Sequence, residues 1–153
     1  MAILGEQVEQ QLRQRFAERL TGSAELRLYT KPGSGRLILP TGLGCATCED
    51  ARQLAEAVRD AAPENITLEV IDVSQTGEHA VGDVEDVPML TVGAPGEEHR
   101  IRFMGLTSGF EFATLVDAIE RVSRREVSLS EKTLRRLEML QESLEVMVFA
   151  TPT

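Results

Sequence analysis

The 153-residue chain has no tryptophan, one tyrosine and five phenylalanines, so its interior must be assembled from Leu, Val, Ile and Ala rather than from aromatic anchors. Cysteine occurs only at Cys45 and Cys48, too few for the disulfide framework that staples small secreted domains. Lysine stands only at Lys31 and Lys132, and 16 basic residues face 25 acidic ones, a formal net charge of −9. Phosphate backbones and anionic bilayers are bound through clustered Lys and Arg, so this balance argues against nucleic acid and against a membrane surface as partners. No apolar run approaches the ~18 residues of a transmembrane helix. The opening Met1-Ala2-Ile3-Leu4-Gly5-Glu6 has neither the basic nor the long apolar region of a secretory signal. A cytoplasmic location is expected. The Gly-rich stretch before Cys45 lacks the Lys and Ser/Thr of a phosphate-binding P-loop, and two scattered histidines support no acyl-transfer triad.

What remains is the composition of an ordinary globular domain, 42% hydrophobic and 27% charged. Val8, Leu12, Phe16 and Leu20 recur at a spacing of four, which predicts an amphipathic helix over 6–20. Alternation from Glu25 to Thr30 predicts a strand. Residues 31–44, rich in Pro and Gly, read as a loop around the brief apolar run Leu37-Ile38-Leu39. Cys48, Ala51, Ala55, Val58 and Ala62 share one helical face, with Leu54 beside them, and Pro63 closes that helix. Ile66, Leu68 and Val70 alternate in a second strand, and the acidic stretch 73–86 reads as loop.

Pro88–Val92 predicts a third strand. Ala94-Pro95-Gly96-Glu97 has the chemistry of a type II turn, and His99–Phe103 would complete a hairpin. Ser108 with Glu111, and Ser128 with Glu131, resemble capping boxes. The first would open a helix burying Phe112, Leu115, Val116, Ile119 and Val122. The second would open a helix through Leu134, Leu137, Leu140 and Leu144, followed by a short strand over 146–150. No internal repeat is evident.

The spacing Cys45-Ala46-Thr47-Cys48, at the start of a helix between two strands, is the context in which two cysteines mean redox chemistry. Exchange needs one thiolate to attack and a second thiol to release the mixed disulfide. Cys45, just before the first turn, gains from free N–H groups and the helix dipole. Cys48, one turn in, is better shielded. That order makes Cys45 the attacking residue and Cys48 the resolving one. Glu49 and Asp50 in the first turn disfavour a nearby thiolate, which predicts a reducing to intermediate potential. Zinc uses the same cysteine spacing but takes about four ligands, and only His79 and His99, twenty positions apart, are of matching type. An iron–sulfur cluster bridging two chains, or two incidental buried cysteines, are the other readings of the pair. No metal or cofactor is expected beyond the redox disulfide itself.

Val87-Pro88 stands at the head of an apolar strand, a place proline tolerates. Either it simply starts the strand, or the bond is cis and turns the Val87 backbone toward the cysteines, where an extended substrate could pair with it. Its position between the second strand and a hairpin favours the cis reading. Val87, Pro88, Ala46 and Thr47 are therefore the candidate substrate-contacting residues.

With Cys45-Ala46-Thr47-Cys48, Val87-Pro88 and Arg102-Phe103-Met104-Gly105-Leu106-Thr107-Ser108-Gly109-Phe110-Glu111-Phe112 in place, nearly the whole chain resembles the glutaredoxin-like protein disulfide oxidoreductases. These carry two tandem thioredoxin-fold units and are related to the N-terminal domain of flavoprotein peroxiredoxin reductases. The resemblance implies an α/β thioredoxin-like fold: a mixed four-stranded sheet flanked by helices, plus a linker helix and a terminal strand. It implies a thioredoxin-fold unit over 1–126, with 127–153 as linker helix and first strand of a truncated second unit. The implied function is dithiol/disulfide exchange with protein substrates, recharged by a redox donor such as a thioredoxin reductase. A non-catalytic docking module using the Val87–Pro88 surface is the alternative. Strand addition through the terminal segment would allow a homodimer.

Overall fold

The computed structural model describes residues 3–31, 45–74 and 86–150. Within them lie α1 (Glu6–Arg19), β1 (Ala24–Thr30), α2 (Cys48–Ala61), β2 (Ile66–Asp72), β3 (Met89–Gly93), β4 (Ile101–Met104), α3 (Phe110–Arg124) and α4 (Glu131–Glu138). The strands form one sheet in the order β2-β1-β3-β4. β1 runs parallel to β2 and antiparallel to β3, and β3 is antiparallel to β4. The parallel pair needs a crossover, which α2 supplies. The antiparallel pair needs only the turn read from the sequence. Glu97 N–H donates to the Ala94 carbonyl at 3.0 Å, and Gly96 holds the positive φ of +77° that such a turn requires. The Pro- and Gly-rich stretch 32–44 and the acidic stretch 75–85, with His79, lie outside the described residues.

Period-two alternation decides which face is apolar. Leu26 and Leu28 of β1 and Leu90 and Val92 of β3 join Phe16 of α1, Val58 of α2 and Ile119 of α3 in one buried cluster. Each fully buried side chain of this size is worth about 1.5–3 kcal/mol of transfer free energy. The spacing-of-four stripe of α1 is used unevenly. Leu12 and Phe16 are buried, Leu20 becomes the C-cap, and Val8 remains 41% exposed. On α2 the apolar face runs as read through Cys48, Ala51, Ala55 and Val58, with Leu54 beside them, while Ala62 is the C-cap, one residue past the helix. β2 is an edge strand, so Ile66 is buried while Val70 at its far end is exposed.

Polar groups fix how the helices meet. Glu120 of α3 is buried, with a side chain only 2% exposed, and accepts an ion-paired hydrogen bond from Arg15 of α1, while Arg19 stands 3.5 Å away. That hydrogen bond is the leading reason the Arg15 guanidinium is held more firmly protonated than usual. Close by, the turn after α1 presses against α3. A Cβ at Gly22 would lie 2.5 Å from the Ser123 carbonyl oxygen. Gly22 N–H donates to Ser123 Oγ at 3.0 Å, Ser123 Oγ donates back to the Gly22 carbonyl at 2.9 Å, and Asn65 Nδ2 donates to that carbonyl at 3.0 Å. Only glycine permits this approach.

Four local expectations fail. Helix α3 is not opened by Ser108 with Glu111. Gly109 is the N-cap, at φ +60°, and no side chain caps it. The chain reverses in a conformation that favours glycine, which leaves Ser108 outside the helix. Helix α4 starts at Ser130 rather than Ser128. The Ser130 hydroxyl accepts from Thr133 N–H at 3.3 Å, whereas the Ser128 hydroxyl is taken by Arg121 Nη1 at 2.6 Å. That helix ends at Glu138, so Leu140 and Leu144 fall beyond it, and 141–150 holds neither helix nor strand. Among the described residues the predicted terminal strand has no ladder partner for its N–H and C=O groups.

Candidate functional site

The two cysteines sit where β1 hands over to α2. Cys48 is the first residue of α2, and Thr47 is its N-cap. Ala51 N–H reaches the Thr47 carbonyl at 2.9 Å, closing the first turn. The Thr47 side chain makes no capping hydrogen bond, so the first-turn N–H groups remain available to an anion placed just before the helix. Cys45 stands at that point. Its sulfur is joined to Cys48 in a disulfide of 2.07 Å, with the Cα atoms 5.4 Å apart. The two ends of the bond differ in access: Cys48 is 1% exposed, Cys45 only half-buried. Ala46 between them is exposed and Thr47 half-buried. Glu49 and Asp50 occupy the first turn of α2 and are exposed.

The second half of the site comes from the chain entering β3. The Val87–Pro88 peptide bond is cis. The Val87 carbonyl oxygen lies 3.6 Å from Cys45 Sγ. In the disulfide that sulfur carries no proton, so the approach is a contact. On reduction, a Cys45 thiol would have this carbonyl within reach as an acceptor. Pro88 is buried, and its carbonyl accepts from Gly105 N–H at 2.7 Å. Gly105 holds φ at +88°, at the exit of β4. The structure thus brings Cys45, Cys48 and Val87 together, with Pro88 behind Val87 and with Ala46 and Thr47 on the loop between the cysteines. Sequence reasoning gave Gly105 no role, although a glycine straight after an apolar strand is the signal of a special backbone conformation.

The opposite face of the sheet carries a separate polar cluster. His99 is 8% exposed, its Nδ1 lies 2.9 Å from Thr91 Oγ1, and the ring packs so closely on Gly93 that a Cβ there would lie 2.2 Å from Cδ2. Its Nε2 is buried without a hydrogen-bond partner, 3.8 Å from Glu25 Oε1. Burial is the main reason His99 protonates less readily than usual. Arg27 adds to the effect, while Glu25 and Glu69 oppose it. Among the described residues no group of three or more His, Cys, Asp or Glu could hold a metal ion, and no helix is long and apolar enough to cross a membrane.

A mixed sheet in the order β2-β1-β3-β4, a cysteine pair opening the crossover helix and an X-Pro bond opening β3 together define a thioredoxin-like fold. Known structures share it. The protein disulfide oxidoreductase from Aeropyrum pernix K1 superposes with a TM-score of 0.71 at 23% identity, over 89% of this chain and 55% of that one. The alkylhydroperoxide reductase AhpF from Enterococcus faecalis V583, as its C503A mutant, gives 0.69 at 20% identity, over 90% and 61%. The NTD N/C domain of the same reductase gives 0.67 at 20% identity, over 88% and 59%. At such identities the likeness is one of fold. The chain spans between 55% and 61% of the length of these structures. No protein-family model matches the sequence, and no curated protein matches it.

Proposed function

We propose that this protein is a thiol–disulfide oxidoreductase that exchanges dithiol for disulfide with protein substrates, and that 1–126 is its working unit. The observation that carries the reading is the Cys45–Cys48 disulfide at the α2 N-terminus with the Val87 carbonyl 3.6 Å from Cys45 Sγ. Starting from the reduced pair, the Cys45 thiolate attacks one sulfur of a substrate disulfide. The substrate S–S bond breaks and its other sulfur leaves as a thiolate. The Cys48 thiolate then attacks Cys45 Sγ, which releases the second substrate sulfur. Two electrons pass to the substrate, and the protein keeps the new disulfide until a reducing donor of the thioredoxin reductase type reopens it.

Access supports the order of attack, because Cys45 is the more exposed sulfur and Cys48 is buried. The uncapped first turn of α2 favours the Cys45 thiolate. The Val87 backbone, Pro88, Ala46 and Thr47 form the surface on which an extended substrate chain would lie. The protein class fits a cytoplasmic setting in which the pair cycles.

The acidic first turn is the observation that favours a second reading, a docking module whose cysteines do not turn over. Glu49 and Asp50 place negative charge where a thiolate would form. Alkylation followed by mass spectrometry across a glutathione redox series separates the two. A Cys45–Cys48 couple that stays fully oxidised throughout would sink the enzyme reading. In insulin reduction the wild type should turn over and Cys45→Ser should not; equal rates would show that the pair is irrelevant.

A further inference from the structure

The turn into α2 leaves a hydroxyl unused beside the reactive sulfur. Thr47 is the N-cap of that helix, a position where threonine ordinarily accepts a hydrogen bond from an N–H of the first turn. It does not do so here. Its backbone sits at φ −112° and ψ 2°, away from the extended conformation that aims an N-cap side chain at the helix. Ser130, the N-cap of α4, shows the contrast: at φ −65° and ψ 150° it accepts from Thr133 N–H. The Thr47 hydroxyl has no hydrogen-bond partner among the described residues, and the residue is half-buried on the loop between the two cysteines.

Covalent geometry keeps Thr47 close to the reacting atom. The adjacent Cys48 is bonded to Cys45 Sγ at 2.07 Å, so the Thr47 Cα lies within about 9 Å of that sulfur. Reduction gives Cys45 two states with opposite needs. As a thiol it donates, and the Val87 carbonyl at 3.6 Å can accept. As a thiolate it only accepts, and the carbonyl then offers nothing. The open first-turn N–H groups supply part of what the anion needs. Nearby charge does not supply the rest. Glu49 and Asp50 occupy the first turn and Asp86 precedes Val87, all three exposed. Against these three carboxylates stand Arg52, one turn further into α2, and Lys31, at the exit of β1. A neutral donor beside the sulfur would offset the deficit, and Thr47 carries one.

We propose that the Thr47 hydroxyl donates a hydrogen bond to the Cys45 thiolate and so sets the fraction of Cys45 that is ready to attack. This role rests on the thiol–disulfide exchange proposed for the pair, and it adds to substrate contact at Thr47. When Cys45 ionises, its proton leaves to solvent and the contact with the Val87 carbonyl loses its hydrogen. The hydroxyl turns to the sulfur and keeps its own proton. No electrons move until the thiolate meets a substrate disulfide. The Cys45–Cys48 disulfide holds no anion, so the hydroxyl favours the reduced pair over the oxidised one.

The test compares Thr47→Val, which keeps the shape and removes the hydroxyl, with Thr47→Ser, which restores it. Charged neighbours are the same in all three proteins, so they cancel. Alkylation of Cys45 in the reduced protein is followed against pH by mass spectrometry, which separates it from the buried Cys48. Thr47→Val should move the profile to higher pH and slow the reaction about three- to tenfold near neutrality, less than a buried hydrogen bond to a charge would give, because water competes on this loop. Thr47→Ser should recover most of the rate. In a glutathione redox series Thr47→Val should stay oxidised at ratios about as many fold more reducing. Thermal unfolding of the oxidised proteins should coincide, because the hydroxyl caps nothing. Superimposable profiles for wild type and Thr47→Val would overturn the proposal. So would a shift that serine does not reverse, or an early unfolding of Thr47→Val, which would make the hydroxyl a structural cap. Alkylation needs no substrate, so unshifted profiles in a protein that reduces insulin would remove this role alone. A pair that never cycles would remove the exchange reading and this role with it.

Discussion

Helices α3 and α4 follow one another in the chain and both show an apolar stripe, yet their fates differ. α3 buries Leu115, Val116 and Ile119 against the sheet and sets Glu120 and Ser123 into polar contacts with α1 and the Gly22 turn. α4 has a proper Ser130 cap and a Glu131–Arg135 pair one turn apart, but buries nothing. An isolated helix shorter than about 12–15 residues is marginal in water even with good local signals. The eight residues of α4 therefore draw no support from the other described residues. Periodicity says which side of a helix is apolar; it does not say that anything stands opposite.

Core truncations should separate the two helices most widely. Ile119→Ala in α3, at a site with no exposure, should cost about 2–5 kcal/mol in denaturant unfolding, as large-to-small core changes do. Leu137→Ala in α4, nearly half exposed, should cost no more than about 0.5 kcal/mol when the chain is monomeric. Similar losses at the two positions would mean that α4 is packed after all.

Ion pairs give the next contrast. Arg15→Ala would leave the buried Glu120 carboxylate, among the described residues, with only the longer Arg19 contact, and should destabilise by about 1–3 kcal/mol. Arg135→Ala removes an exposed pair of 3.4 Å within α4 and should cost about 0.3–0.5 kcal/mol, falling further with salt. If Arg15→Ala were as mild as Arg135→Ala, the α1–α3 junction would not depend on that pair.

This difference between local and long-range signals also explains what the sequence could reveal. The strands, the Ala94–Glu97 turn and the apolar face of α2 rest on neighbours within a few residues, and all were readable. The cysteine spacing and Val87–Pro88 pointed to the same site because helix N-terminus and strand entry are local features. Their meeting, with Cys45 Sγ 3.6 Å from the Val87 carbonyl, is a contact across 42 positions that only the fold supplies. Other misses have the same origin. Ser128 resembles a cap until Arg121, seven residues earlier, takes its hydroxyl. Glu120 looks like a surface residue of an amphipathic helix until Arg15, 105 positions away, meets it. The 146–150 run has strand chemistry, but a strand is made by its partner.

The smallest expected effect is a dependence of stability on pH that belongs to the body of the fold and not to its tail. His99 is held neutral by burial, with Arg27 on its own sheet face adding to this and Glu25 and Glu69 pulling the other way. Its folded pKa lies below the ordinary 6.5, so the unfolded chain binds the proton more readily and stability rises with pH. The contribution is fully present above 6.5 and is lost as pH falls from there through the lowered folded value. A doubly protonated ring would donate from Nδ1 to the Thr91 hydroxyl, which lies 3.5 Å from the Arg27 carbonyl. Thermal unfolding followed between about pH 8 and 5, where histidine titrates, should fall more steeply for the wild type than for His99→Gln. Deleting 127–150, which contains no histidine, should leave the wild-type slope unchanged. Parallel curves for wild type and His99→Gln would show that Glu25 compensates the proton fully; a slope that vanished with the tail would place the titrating contact between α4 and the body.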